Sequence, residues 1–429
     1  LELRVLAHQH LATSRMRHAR QSVKASQRFR NRSLPLKSAV DLRSASMLKG
    51  VTKPVRSDLF ACPSCKSSLV LTNQTWKCSG CGPVGIQRQD IADFLYDIST
   101  IQLANSGQWD LADDTSLGLE LLELFDQHSY AELRNQAQSS RTTKSGLVSD
   151  PHAQLLNSQL AIWAQRRFSR RYERVSSEVG RNHGQQILHK VETRLQDLGR
   201  PPMPSNLAIE LGGGDGQYLL GFAEKFEHVV FVDGSLANVV LAKALARDDG
   251  IANITFVRAD ITAVPISSST FSMVHANGVI EHVNTPIALT TEIVRLTNTS
   301  GYSVVVSPNR NPITFEPHFR LPLFGLIPRL IRRPLIVIAR GKGSEAGTDL
   351  LSLRRLRNTL LQTNAAWDVF VIPRGIDSTA RQTRLRSIIA RSMRSPVGAV
   401  ADWLINRVFL PIAHSHIAIG QRRQYPPTP

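Results

Sequence analysis

The sequence lacks long apolar runs and contains few cysteines and few aromatic residues. No segment has about 18 consecutive uncharged apolar residues, so no membrane-spanning helix is predicted. Four cysteines among 429 residues do not form the disulfide framework of a secreted scaffold. Aromatic residues make up 6% of the chain, which leaves little material for stacking nucleic-acid bases. These absences favour a cytoplasmic globular protein.

The formal net charge of +18 is concentrated at the two ends of the chain, while the centre is mildly acidic. Residues 1–56 are predicted to be a basic, disordered tail, with a transit peptide as the second interpretation. Residues 319–340 and 386–411 mix apolar residues with arginine. That mixture is typical of a lid helix with solvated arginines or of a peripheral contact with an anionic membrane.

All four cysteines lie in two C-x-x-C pairs that twelve residues separate. The pairs are Cys62 with Cys65 and Cys78 with Cys81. This spacing predicts a zinc ribbon over 57–98, in which four thiolates complete a tetrahedral Zn²⁺ site. Because no coordination position stays open, the metal is expected to be structural. The alternative is that the four cysteines form two disulfides or remain free thiols. A helical linker over 99–165 is expected to follow the ribbon.

The segment "AIELGGGDGQY", residues 208–218, is a glycine-rich turn after a short apolar run. Its glycines stand at every second position: Gly212, Gly214 and Gly216. A dinucleotide site needs G-x-G-x-x-G, and a phosphate-binding P-loop needs a following G-K-[ST]; neither pattern is met. The carboxylates of Glu210 and Asp215 would repel a pyrophosphate but favour the cationic S-adenosylmethionine. The turn therefore favours S-adenosylmethionine as the cofactor.

Apolar runs and amphipathic helical segments alternate from about residue 207 onward. This alternation predicts an α/β fold for residues 166–429, with a doubly wound, Rossmann-like sheet and helices on both faces. Four polar side chains fall at the ends of predicted strands: Glu210, Asp233, Asp260 and Asn277. Because ligands bind at the carboxyl ends of such strands, all four are candidate cofactor-binding residues.

Two of these residues are expected to contact different parts of the cofactor. The Asp233 carboxylate accepts hydrogen bonds from both ribose hydroxyls, or alternatively caps the following helix. The Asp260 carboxylate accepts from the adenine amino group while Ile261 packs on the ring, or alternatively Asp260 is a turn residue.

The arrangement E-x-G-x-G-x-G resembles motif I of the class I S-adenosylmethionine-dependent methyltransferases. The segments "FVDGSLANVVLAKA", "RADITAVPISSSTFSMVHANGVIEHV" and "GYSVVVSPN" are similar to the later motifs of the ubiquinone-biosynthesis-like and small-molecule branch. The resemblance covers roughly residues 200–310 and implies the fold and the cofactor. It says little about the methyl acceptor.

The fourth strand is followed by "HANGVIEHV" and not by the N/D-P-P-Y/F turn of exocyclic amino methylases. His282 is a candidate general base for an acceptor hydroxyl, or it packs beside the cofactor and shapes the pocket. Glu316 and His318 compete with it, since they lie in a predicted acceptor-binding insertion at about 312–365. The "PN…EPH…LP…LP" pattern there resembles methyltransferases of cell-envelope glycans or lipids.

The sequence thus predicts methyl transfer to a hydroxyl, less readily a carbon, of a small, lipid-linked or glycan acceptor. An RNA methyltransferase is the second hypothesis, because a zinc ribbon also precedes the core of enzymes that methylate a ribosomal RNA guanine and basic ends hold phosphates. The third is a catalytically silent binding module that docks a partner through the ribbon. Binding of S-adenosylmethionine would distinguish the two methyltransferase hypotheses from the silent binding module.

Overall fold

Eleven strands form one sheet in the part of the chain that the structure, a computed structural model, describes. The described residues are 56–96, 111–127, 177–310, 349–370 and 415–423, with a few single positions outside these ranges. The predicted basic tail, most of the linker and most of the acceptor insertion lie outside them. No helix among the described residues is long and apolar enough to cross a bilayer.

The strands have the order β1-β2-β3-β4-β7-β6-β5-β8-β9-β11-β10. They are β1 (Leu69–Thr72), β2 (Thr75–Cys78), β3 (Gly82–Arg88), β4 (Ile91–Asp93), β5 (Leu207–Leu211), β6 (His228–Asp233), β7 (Ile254–Arg258), β8 (Phe271–Asn277), β9 (Thr297–Pro308), β10 (Ala365–Phe370) and β11 (Ser415–Arg422). The centre, from β4 to β9, is parallel, and both ends are antiparallel. The predicted Rossmann-like fold is confirmed.

Helices cover both faces of the parallel centre. They are α1 (Leu111–Gln127), α2 (Ser177–Asp197), α3 (Leu219–Lys225), α4 (Leu236–Asp248), α5 (Pro286–Leu296) and α6 (Leu353–Leu361). The side chains of β6 alternate between two cores: Val229 and Phe231 contact the layer of α1 to α4, while Val230 and Val232 contact the layer of α5 and α6. Strands buried on both faces need continuous apolar runs, which is what these segments have.

The segment with the four cysteines is continuous with this sheet. Strand β4 pairs in parallel with β7, with Asp93 opposite Arg258. Phe60 forms an antiparallel bridge with Ile266, and its ring packs against Trp76 at a centroid distance of 4.6 Å. Trp76 is fully buried and belongs to the same core as α5. The cysteine-bearing hairpins therefore share a core with the larger sheet.

Helices α2 and α3 cross at two glycines. A Cβ atom added to Gly184 would lie 2.7 Å from the Cα atom of Gly221 and would also meet the Tyr218 carbonyl oxygen. A Cβ atom at Gly180, one turn earlier on α2, would find its nearest neighbours at 3.8 Å. A side chain at Gly184 would therefore clash, whereas one at Gly180 would not. The close approach of α2 and α3 depends on Gly184.

Gly184→Ala is expected to lower the free energy of unfolding by about 1–3 kcal/mol, because backbone atoms must move apart. Gly180→Ala is the matched control and should stay within about 1 kcal/mol, since it adds a helix-favouring side chain without a clash. Urea unfolding followed by circular dichroism measures both. Equal stabilities of the two variants would contradict the close crossing.

Candidate functional site: a glycine turn and a four-cysteine cluster

The glycine turn follows β5 and contacts the end of β6. Gly212, Gly214 and Gly216 have φ angles of +64°, +59° and +80°, a region that side chains disfavour. A Cβ atom at Gly212 would lie 2.7 Å from Val279, whereas one at Gly214 would meet nothing within 4 Å. The backbone at Gly214 thus borders open space, into which a ligand can approach closely.

The carboxylate of Asp233 lies against this turn at the end of β6. It accepts hydrogen bonds from the backbone N–H groups of Gly214 at 2.9 Å and Ser235 at 2.8 Å, and from Asn238 Nδ2 at 3.3 Å. Ser235, not Asp233, caps helix α4, since its side chain accepts from the Asn238 N–H. Burial raises the pKa of Asp233 to about 6. The carboxylate is held beside the space at Gly214.

Glu210, on β5 below the turn, is buried with a partly unsatisfied carboxyl group. Its Oε2 atom has no hydrogen-bond partner, and its Oε1 lies 3.8 Å from Nδ1 of His275. Burial, with the nearby charges of Asp215 and Asp233, raises the pKa of Glu210 well above its usual value. His275 gives no compensating charge, because burial lowers its pKa to about 3.

These features fit S-adenosylmethionine. Open space above a glycine backbone admits a ligand, and clustered carboxylates favour a cation over a pyrophosphate. The unpaired Oε2 of Glu210 is the kind of buried acceptor that a bound ligand or water satisfies.

The remaining predicted cofactor residues follow the neighbouring parallel strands. Asp260 is half-buried, and its Oδ1 accepts from the N–H and the hydroxyl of Thr262, both at 2.8 Å. Ile261 is 8% exposed and packs into the core on the α5 side. Asn277 is half-buried at the end of β8. All three lie at the same edge of the sheet as Glu210 and Asp233, and Asp260 also forms the local turn that its alternative interpretation expected.

His282 lies in a short 3-10 helix, Ile280–His282, directly after that edge. It is half-buried, and the carbonyl of its neighbour Glu281 accepts from the Asp349 N–H at 2.7 Å. Residue 349 follows the part of the predicted insertion that is not described. His318, the competing candidate base, lies outside the described residues, so the structure does not compare the two.

The four cysteine sulfur atoms form a cluster. They lie within 4.8 Å of one another, and the Cys65 and Cys78 sulfurs are 3.4 Å apart. A tetrahedral ion with Zn–S bonds of about 2.3 Å separates its ligand atoms by roughly 3.8 Å. Cys62 and Cys78 are buried, whereas Cys65 and Cys81 are exposed, and none is in a disulfide. The cluster is close to the geometry that a four-coordinate zinc needs.

The thiols of the cluster also affect one another's ionisation. Hydrogen bonds from Ser67 lower the pKa of Cys65 to about 6. Hydrogen bonding with Cys65 raises the pKa of Cys81 to about 12, because a second thiolate would stand beside the first. Neighbouring thiolates repel one another, and a bound cation would relieve that repulsion.

Sequence reasoning missed the residues that lie behind the site. Arg258, Asp93, Asp114 and His275 are all buried charged or titratable groups. One signal was available, since Arg258 interrupts the apolar strand "ITFVRAD" and a charge there needs a buried partner. That partner, Asp93, is distant in the sequence.

Residues 209–305 match the family model described as "Methyltransferase domain". No curated protein sequence matches the chain. Among solved structures, it is similar to the YcgJ protein from Bacillus subtilis, at 15% identity and a TM-score of 0.37, over 57% of this chain and all of that one.

Two further similar structures carry ligands. Geranyl diphosphate C-methyltransferase from Streptomyces coelicolor has 13% identity and a TM-score of 0.35, over 55% of this chain and 76% of that chain. Phosphoethanolamine N-methyltransferase 2 from Haemonchus contortus has 14% identity and a TM-score of 0.36, over 55% of this chain and 53% of that one. On the family match and the sheet topology, the chain carries an S-adenosylmethionine-dependent methyltransferase domain and is an enzyme of that type.

Proposed function

We propose that this enzyme methylates a hydroxyl, less readily a carbon, of a small, lipid-linked or glycan acceptor. The observation that carries the cofactor side is the open space at Gly214, beside which the Asp233 carboxylate accepts the Gly214 N–H. The acceptor side is supported by the bond between the Asp349 N–H and the Glu281 carbonyl, which joins the end of the predicted insertion to the segment after β8.

Each cofactor-binding residue has a distinct role in this proposal. Asp233 accepts hydrogen bonds from the ribose hydroxyls, and Asp260 with Ile261 flanks the adenine. Glu210 offers its unpaired carboxyl oxygen below the turn, and Asn277 lines the same edge. Bound S-adenosylmethionine supplies an electrophilic methyl group on a sulfonium. Methyl transfer is an in-line displacement, so these side chains need mainly to orient the cofactor and to exclude water.

The acceptor enters where the predicted insertion leaves and rejoins the sheet. The Arg310 N–H donates to the Leu351 carbonyl at 3.0 Å, so the two ends of the segment meet. Beyond them, Leu356 and Leu360 of α6 anchor the chain in the core. This anchoring supports the proposal that residues 312–345 select the acceptor, with His282 or His318 removing its hydroxyl proton.

Asp233→Asn is expected to raise the Kd for S-adenosylmethionine about 10- to 100-fold, because charge-assisted hydrogen bonds to ribose are lost. Wild-type affinity should fall about tenfold from pH 7.5 to pH 5, since protonation through a pKa of about 6 removes the acceptor. In the variant this component of the pH dependence disappears. Calorimetric titration measures both, with the exposed Asp197→Asn as control. Absence of binding by the wild type would refute the cofactor assignment.

The acceptor is tested by methyl transfer from labelled S-adenosylmethionine into a lipid and glycan extract, a small-molecule extract and ribosomal RNA. We expect label in the first or second pool and none in RNA. Of His282→Gln and His318→Gln, the variant that lacks the base should lose about 10²–10⁴-fold in kcat with an unchanged cofactor Kd. Label in RNA, with binding that weakens steeply as salt rises, would instead support the RNA hypothesis.

We further propose that Cys62, Cys65, Cys78 and Cys81 hold one structural Zn²⁺. The mutual distances of their sulfur atoms support a tetrahedral site. The nearby hairpins are small, with four-residue strands β1 and β2, and bury little apolar surface by themselves. The ion would therefore contribute stability and not chemistry.

One zinc per chain is expected by elemental analysis of the purified protein. Cys78→Ser should lose the metal and lower the unfolding midpoint by roughly 5 °C or more, because a ligand of the closed site is gone. Ser79→Ala, one residue further on and exposed, should retain both. Wild-type protein that stays metal-free after refolding with zinc would rule out the site.

A further inference from the structure

Arg258, the last residue of β7, is a fully buried charge in the middle of the sheet. Its side chain has no exposed surface. A buried guanidinium is costly unless its donors are satisfied and a counter-charge is near. Where its five donors point therefore indicates what the residue does.

The guanidinium joins three separate segments. Its Nε donates to the Gly234 carbonyl at 3.2 Å, and Gly234 directly follows Asp233. Its Nη1 lies 3.5 Å from the Asp93 carboxylate and donates to the Leu95 carbonyl at 3.3 Å. Its Nη2 donates to the Thr115 hydroxyl of α1 at 2.6 Å. The turn after β6 is thus tied to both β4 and α1.

Helix α1 holds the same turn from the other side. The Asp114 carboxylate accepts from the Ser235 hydroxyl at 2.6 Å and from the Leu236 N–H at 2.9 Å. Ser235 in turn donates its backbone N–H to Asp233. The orientation of the Asp233 carboxylate therefore depends on a turn that Arg258 and Asp114 fix together.

We propose that Arg258 is a positioning residue for cofactor binding, which holds the 233–235 turn so that the Asp233 carboxylate is aimed at the ribose. Asp93, which also pairs with Arg88, places a counter-charge beside the guanidinium, so the cysteine-bearing segment takes part in the cofactor site without touching the cofactor. This inference rests on the proposed role of Asp233. It assigns to the cysteine-bearing segment a role in the affinity for S-adenosylmethionine, in addition to its role in stability.

The first variant is Arg258→Lys, which keeps the charge but loses the planar fork that reaches partners in three segments. The Kd for S-adenosylmethionine should rise about tenfold in the wild-type background. In the Asp233→Asn background the same substitution should change the Kd less than about twofold, because the residue acts through that carboxylate. A substitution that merely loosens the fold would change the Kd equally in both backgrounds.

Arg295→Lys is the matched control. Arg295 also makes several bonds, to the Glu292 carboxylate and to the carbonyls of Val264 and Ile266, but none to the 233–235 turn. It should lower the unfolding midpoint without changing the Kd. Hydrogen exchange of the Ser235 and Leu236 amides gives a readout without ligand, and it should accelerate only in Arg258→Lys.

Should Arg258→Lys fail to fold, Thr115→Val removes one acceptor of the guanidinium and should raise the Kd about threefold. Equal Kd effects of the Arg258 and Arg295 substitutions, or an Arg258 effect that persists with Asp233→Asn, would overturn the inference. If the wild type binds no S-adenosylmethionine, the proposed function itself fails. If Asp233→Asn weakens binding and Arg258→Lys does not, only the positioning role fails.

Discussion

The buried contact between Asp93 and Arg258 is the constraint on which the arrangement of this protein depends. Each charge lies at the end of a strand, and the two strands, β4 and β7, pair in parallel. Both side chains are fully buried, so neither can exchange its partner for water. Asp93 also pairs with Arg88 at 2.6 Å, so loss of Asp93 would leave the buried guanidinium of Arg258 without its nearby carboxylate, which typically costs about 3–5 kcal/mol. The register between the cysteine-bearing segment and the larger sheet is therefore strongly specified.

Local patterns in the sequence were sufficient to predict the parallel sheet and the edge at which the glycine turn and the polar strand ends lie. Strands such as "HVVFVD" are short apolar runs that end in a polar residue, and the glycine turn has a spacing of its own. The cysteine spacing likewise indicated the sulfur cluster. These features depend on neighbours within a few residues or on pairing between successive strand–helix units, which topology rules predict well.

The pairing of the cysteine-bearing segment with the larger sheet was not predictable from such local patterns. Residues 91–93 pair with 256–258, far along the chain, and a three-residue strand gives little periodic signal. The same holds for Phe60, whose bridge to Ile266 depends on shape in the assembled core. Arg258 was the exception, since a charge within an apolar strand implies a buried partner, but the sequence does not say which acid provides it.

The contact between Asp93 and Arg258 also matters for the acidic groups at the glycine turn. A chain with a net charge of +18 keeps an acidic edge at its glycine turn, where Glu210 and Asp233 are buried side by side. Such a cluster repels itself, so its geometry must be fixed by surrounding donors and not left to the carboxylates. One of those donors, the Ser235 N–H, belongs to the turn that Arg258 and α1 hold. The cysteine-bearing segment therefore supplies structure, through Asp93, to a cluster of acidic groups that repel one another.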